Sequence, residues 1–478
     1  MEQYRAYLFN YREANLHILI AILFGLFLDG AGMAFKFLFM PYILYLMLSR
    51  KEENVPGLII MLSYGNILTV FAGFVCVYFS LSRLSKIKEL GYFNLWLTLI
   101  LMLPVYLIIL VMRLQSDGFI GGFQSLEHYI VFWFLIYGVL NSDIVTRRML
   151  NFTVFPFVIL LVLSTANVIP NDSIKILFRM TGLVELVIIL MAFKYFRREI
   201  DFSNSIYIRL SLLCYLPVRV FYFSSYKFTA LLGLLVALYF VYKKEDFLQV
   251  YPQILSEKLK RKANYIVAFP IIFTALTLLL TPTLVYSFEG VDLNSYYGGD
   301  SSFFQVILGK LFVDRGVLWL SALDTISNQG SFFPSVDIIN IKLNLLLSKI
   351  GSIEEISFGA HNIILELCRT EGVLFGAILS VIYLRQIRLL IKNVADNHPT
   401  VNIYRFALVG IGIAVFTTGM YTISLNVAFI YMFLTGALSQ SKDEVLVESN
   451  APQVVINAVG LVKKTKFKRA NNLRCEKV

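Results

Sequence analysis

The chain is 478 residues long, 58% hydrophobic and only 15% charged, with a mean hydropathy of +0.72, which excludes a water-soluble protein of this size. Its formal net charge of +11 is read as an orientation signal, because positive residues collect in the cytoplasmic loops of membrane proteins. No nucleic-acid partner is expected.

The apolar residues are gathered into blocks of about 16 to 26, the length that carries a helix across a hydrocarbon core. In chain order they fall near 16–31, 35–49, 57–82, 92–113, 126–141, 149–169, 176–193, 206–223, 228–242, 264–286, 371–390, 404–423 and 425–440. The expected fold is all-α: a polytopic integral membrane protein with about 12 transmembrane helices and one long periplasmic loop. The N-terminal "MEQYRAYLFNYREANLH" is too polar, and the apolar stretch after it too long, for a cleaved secretory signal, so the chain is expected to insert by its own spans. Separate spans at 16–31 and 35–49 would leave the N-terminus outside, whereas one broken or re-entrant element across 16–49 puts it inside, the reading adopted.

Strongly basic connectors come after alternate pairs of spans: "RLSKIK" at 83–88, "TRR" at 146–148, "KYFRRE" at 194–199, 243–262, "RQIRLLIK" at 385–392 and the tail with "KKTKFKR". Placing all of them in the cytoplasm satisfies the positive-inside rule. The opposite side then receives short loops and one long hydrophilic segment. The organisation is a helix bundle over 1–286, a large periplasmic loop over 287–360, C-terminal membrane helices over 361–440 and a basic, mostly disordered cytoplasmic tail over 441–478 that could rest on anionic lipid. Within the loop, "FFQVILGKLF" and "GVLWLSAL" read as short amphipathic helices that lie on the membrane or roof a cavity. Four scattered cysteines, without CxxC or metal spacing, give neither a disulfide framework nor a zinc site.

Cations at the outer mouth carry more information than those in cytoplasmic loops. A charge at the bilayer centre costs about 2.5–3.5 kcal/mol on the insertion scale, so ionisable residues at depth line cavities. Arg219 and Lys227 flank "VFYFSSYKF" at the outer junction of two spans, Arg315 stands four residues before Trp319 in the long loop, and His361 closes that loop. Arginine offers a fork of donors that matches phosphate, and lysine adds a point charge. A ligand of that chemistry in the outer leaflet is a polyprenyl diphosphate carrying a sugar. Its diphosphate leaves readily once its charge is held, and a histidine can activate the acceptor hydroxyl. Such a transfer requires no cofactor and no metal.

Three stretches give the chain a resemblance to the O-antigen ligase and O-antigen polymerase superfamily. "HNIILELCRTEGVLFG" is similar to the family's His-Asn element, with Gly372 ten positions after Asn362. "DRGVLWLSALDTI" resembles its Arg…Trp segment in the large loop, and "YFSSYKFTALLGLLVAL" resembles its turn at the start of a span, with Lys227 where arginine is usual. The resemblance covers roughly 200–440. It implies a metal-independent inverting glycosyltransferase of the bacterial inner membrane that acts on an undecaprenyl-diphosphate-linked glycan. Carried over by position, His361 is the base or acceptor-orienting residue and Arg315 and Lys227 contact the diphosphate; Arg219, Asn362, Trp319 and Glu366 are added as candidate substrate contacts from their own places in the sequence. Membrane lipid and a chain-length regulator in the same membrane are candidate partners. The chain departs from the family in lacking a bidentate fork at Lys227 and in ending the motif "GVLFG", one residue longer than Gly-x-x-Gly.

Each residue also has a plainer role. His361 could start a helix, Arg315 could pair with Asp314, Asp324 or Asp337, Lys227 could snorkel to headgroups, and Trp319 could sit in an aromatic belt. Arg219 could have a structural partner within its span. Glu366, Arg369 and Glu371, at helical spacing, could be a salt-bridge set at a helix entrance. His17, His128 and His398 have no companions that suggest chemistry. A polymerase is favoured over a ligase on resemblance alone. A flippase or transporter of lipid-linked oligosaccharide is the alternative of another class, disfavoured by the absence of repeated halves and by the asymmetric long loop.

Overall fold

In hydrocarbon the backbone has no water to bond to, so a chain this apolar must close its hydrogen bonds within helices. The computed structural model describes residues 12–28, 37–63, 67–144, 252–287, 315–335, 360, 362–393 and eight single positions between 405 and 437. All regular structure among these residues is helical. The elements are α1 (Arg12–Leu28), α2 (Met40–Ser49), α3 (Asn54–Ser63), α4 (Ile67–Ser82), α5 (Leu84–Glu89), α6 (Phe93–Gln124), α7 (Glu127–Leu140), α8 (Pro252–Ser287), α9 (Val317–Gln329) and α10 (Ile363–Asn393). Among the described residues three stretches are long and apolar enough to cross a membrane: Phe93–Leu140, Arg261–Pro282 and Ile363–Lys392.

The single span expected over 57–82 is instead two helices, α3 and α4. Gly65 and Asn66, residue types that interrupt helices, stand between them in the sequence. The block expected over 126–141 coincides with α7, which is buried along nearly its whole length. The expected helix at "GVLWLSAL" is α9. The other predicted spans, between 149 and 242 and beyond 404, and the tail lie outside the described helices.

Two of the long elements are broken at glycine. Gly118 in α6 (φ 71, ψ −173) and Gly372 in α10 (φ 77, ψ 162) take a backbone conformation essentially reserved for glycine. At each break the chain doubles back. Tyr129 of α7 donates to the Leu99 carbonyl at 2.6 Å and stacks on Tyr106 with ring centroids 4.5 Å apart. A continuous straight helix would hold residues 99 and 129 about 45 Å apart. At the other break a Cβ on Gly376 would lie 2.5 Å from the Cα of Cys368, so residues four before and four after Gly372 face each other. The glycine that makes the motif "GVLFG" one residue longer is therefore the one that lets the two arms of the hairpin touch.

Phenol hydroxyls and other polar side chains bond across helices, the interactions that hold helices together where no hydrophobic difference separates protein from lipid. Tyr137 donates to the Met47 carbonyl at 3.0 Å, and Tyr92 donates to Gln386 Oε1 at 2.6 Å. Tyr106 bonds Glu371. The pairs 92/386 and 106/371, the second at the break and the first far along the second arm, show that α6 and α10 beyond Glu371 run antiparallel, with the two contacts about 21 Å apart along the helices. Gly91 also lies against Arg385, so the basic connectors 83–88 and 385–392 share one end of the bundle. At that end Lys86 donates to the terminal carbonyl of α7, Leu140, at 2.9 Å, and both Lys86 and Arg50 stand 3.7 Å from Asp143. The outward faces carry exposed leucine, isoleucine and phenylalanine, among them Leu101, Ile108, Phe269 and Leu279, as a lipid-facing surface does.

The two breaks differ in their surroundings. A Cβ on Gly118 meets nothing within 4 Å, while one on Gly372 would lie 2.5 Å from the Phe333 carbonyl carbon. Gly118→Ala is expected to destabilise the purified protein by about 1–3 kcal/mol through backbone strain alone. Gly372→Ala is expected to cost more, because the Phe333 backbone must also move. Thermal denaturation followed by size-exclusion chromatography measures both.

Candidate functional site

A helix begins with backbone N–H groups that have no partner inside it. For α10 this start lies buried, directly after the long loop, and side chains from its own first turns supply the partners. Asn362 is the N-cap. Its Oδ1 accepts from the amides of Ile364 at 3.0 Å and Leu365 at 3.4 Å, and its amide group donates to Thr274 Oγ1 and to the Phe416 carbonyl, both at 3.1 Å. Asparagine has two donor hydrogens and an oxygen that accepts about two bonds. All of that capacity is engaged within the chain, tying α10 to α8 and to the backbone at 416.

One turn further in, Glu366 reaches back past the cap. Its Oε2 accepts from the Ala360 amide at 2.8 Å and from Arg369 Nε at 3.1 Å, and its Oε1 accepts from the other limb of the guanidinium. The side chains of Glu366 and Arg369 are 2% and 9% exposed, so this is a buried, forked ion pair inside an element long enough to cross the membrane. Glu371 does not join it. The five-residue step from Glu366 turns Glu371 toward α6, where one carboxylate oxygen accepts from the Tyr106 hydroxyl. Its other oxygen is buried with no partner among the described residues. The expected three-member salt-bridge set is thus a pair plus a separate acid held by a tyrosine from another helix.

The break at Gly372 is covered by the segment after α9. The amides of Val373 and Leu374, which begin the second arm, donate to the carbonyls of Ser331 at 3.1 Å and Phe332 at 3.2 Å. Phe333 packs on Phe375 with ring centroids 5.9 Å apart. On the other side of α9, Trp319 is fully buried in a cluster with Leu318, Ala322, Ala360 and Leu365. Gly316 presses so closely on Thr281 of α8 that a Cβ there would overlap the threonine side chain. The segment carrying Arg315 and Trp319 is thereby fixed between α8 and the start of α10.

The structure therefore brings four of the expected site residues, Arg315, Trp319, Asn362 and Glu366, to one region. Arg315 is half-buried and engaged with a neighbour. The indole N–H of Trp319 is buried and has no partner among the described residues. His361, Lys227 and Arg219 lie outside the described residues, although both sequence neighbours of His361, Ala360 and Asn362, are buried.

Sequence alone does not single out His128 on α7, whose Nδ1 is buried with no partner among the described residues and lies within electrostatic reach of Glu366 and Arg369. A lone histidine at the head of an aromatic run gives no sequence signal of that neighbourhood. His17, equally without companions in the sequence, bonds Tyr42 between α1 and α2. Among the described residues no three histidine, cysteine, aspartate or glutamate side chains gather as metal ligands do.

Comparison with protein-family models, with curated proteins and with solved structures finds no match. A function must be read from the residues themselves.

Removing one member of a buried ion pair strands the other charge, which costs about 3–5 kcal/mol. Arg369→Met is expected to destabilise the purified protein by that amount. The double variant Glu366→Gln/Arg369→Met, with no charge left to strand, is expected to recover most of it in the same thermal assay.

Proposed function

We propose that this chain is a membrane glycosyltransferase, a polymerase of O-antigen or a related polysaccharide, that joins undecaprenyl-diphosphate-linked oligosaccharide repeat units. The observation that carries the reading is the packing of α9, with Arg315 at its head and Trp319 in its first turn, against residues 360–365 at the start of the broken helix. The stretch that bears the cation and the aromatic residue thus meets the start of α10 at one place, which supports a site there for a charged lipid-linked donor.

In the proposed reaction a hydroxyl of the acceptor glycan attacks the anomeric carbon of the donor sugar. The new glycosidic C–O bond forms as the bond to the diphosphate breaks, with inversion, and the hydroxyl proton passes to the imidazole of His361. The undecaprenyl diphosphate leaves with the bonding electron pair, its charge held by Arg315, Lys227 and Arg219. The unpartnered indole N–H of Trp319 would donate to a substrate oxygen brought against this wall. Basic connectors gathered at the far end of α6 and α10 support a cytoplasmic orientation for that end, in keeping with a long loop outside.

A ligase that moves the finished glycan to lipid A core would use the same chemistry with another acceptor. The helix interrupted at Gly372 favours a second class, a flippase or transporter, because carriers place substrate at interrupted membrane helices. One reconstitution separates the three. Purified protein in liposomes receives lipid-linked repeat units without lipid A core, and the products are resolved on a gel. A polymerase yields a ladder. A ligase yields product only when lipid A core is added, and a carrier moves the lipid-linked unit across the bilayer without forming a bond.

His361→Ala, Arg315→Ala and Lys227→Ala are each expected to abolish the ladder with protein level and insertion unchanged. Lys227→Arg is expected to preserve or raise it. Normal chain length in all three alanine variants would overturn the assignment.

A further inference from the structure

Resting on that proposed reaction, we infer that Glu366 is a positioning residue that fixes the backbone just before position 361, as Asn362 fixes it just after. Glu366 is not itself a substrate contact.

An ordinary N-cap satisfies amides of the first turn, and Asn362 does this alone through Ile364 and Leu365. Glu366 adds nothing to that cap. Its carboxylate instead bonds the amide of Ala360, two residues before the cap and outside the helix. Positions 360 and 362 are thus each held by a side chain at the start of α10, while 361, between them, carries the candidate base.

Stability does not account for the ion pair. Buried pairs are poor stabilisers compared with apolar residues of similar size, and charges in a membrane-crossing element are costlier still. Both Glu366 oxygens already accept, from Arg369 and from the Ala360 amide, and the side chain is 2% exposed. Arg369 reaches both oxygens and so fixes the plane of the carboxylate. A buried side chain with three of its about four acceptor sites filled from within the chain is built to hold a loop end in place. A misplacement of about 1 Å at a reacting group can cost about 100-fold in rate.

The test separates reach from charge. Glu366→Asp keeps the charge that pairs with Arg369 but is one methylene too short for the Ala360 amide. Glu366→Gln/Arg369→Met keeps an oxygen at full reach and removes both charges. Each variant is purified in nanodiscs and read in two ways: amide hydrogen exchange over 358–365, and polymerisation kinetics with lipid-linked repeat units.

Positioning predicts that Glu366→Asp exchanges at Ala360 at least about 10-fold faster, and that its kcat falls about 100-fold while KM for the donor stays within about threefold. The double variant is expected to stay within about threefold of wild type in exchange and within about tenfold in kcat. The opposite order, with the Asp variant active and the double variant inactive, would overturn the inference in favour of a role for the charge itself. Unchanged exchange in the Asp variant would overturn it as well. Should wild type make no polymer while exchange keeps the predicted order, the clamp stands and the proposed reaction fails. Should the Asp variant not be recovered folded, Glu366→Gln alone is compared with the double variant. Near-normal exchange at Ala360 in both supports the clamp, and fast exchange in both refutes it.

Discussion

The constraint on which the rest of this structure depends is that a backbone polar group inside a membrane must find its partner within the protein. Wherever a helix stops short of the bilayer surface, something else has to supply hydrogen bonds. At Gly372 the suppliers are the carbonyls of Ser331 and Phe332. At the start of α10 they are the side chains of Asn362 and Glu366. The obligation to satisfy the helix end at Gly372 holds residues 331 and 332 against α10, and with them the end of the segment that carries Arg315 and Trp319.

The same constraint governs the charges. Glu366 and Arg369 neutralise each other in the interior, and the phenol of Tyr106 serves Glu371, which has no cationic partner among the described residues. Tyrosine recurs in this role because its ring is at home among apolar side chains while its hydroxyl reaches a neighbouring helix. Tyr92, Tyr106, Tyr129, Tyr137 and Tyr383 each bond across to another part of the bundle. Two of these bonds, from Tyr92 and Tyr106, fix the register of α6 against α10, so the depth of the hairpin tip is set by side chains far apart in the sequence.

Much of the helical pattern was legible in the sequence because hydropathy tracks contact with lipid. Block 126–141 is α7 almost residue for residue. The expected span at 371–390 illustrates the opposite case, since α10 begins at Ile363. Glu366, Arg369 and Glu371 depress the hydropathy of its first arm, although all three are sheltered by partners that a one-dimensional reading cannot supply. The doubling back at Gly118 and Gly372 was illegible for a related reason: a glycine in an apolar run signals freedom but not direction, and the direction comes from packing. The motif glycine and the Arg…Trp segment were visible as patterns. Their meeting was not, because residues 319 and 360 come together only through α8 and α10.

The two carbonyls that cap the second arm of α10 also give the long loop a mechanical status that its position in the sequence conceals. A loop of this kind is ordinarily a replaceable part, free to vary in length and to be grafted between relatives. Here the peptide groups at 331 and 332 complete a membrane helix, so a graft that exchanged the loop without that helix would leave two amides bare in hydrocarbon. The mechanical unit is the segment 315–335 together with 362–393, so a change of length is tolerated only in the stretches outside that joint.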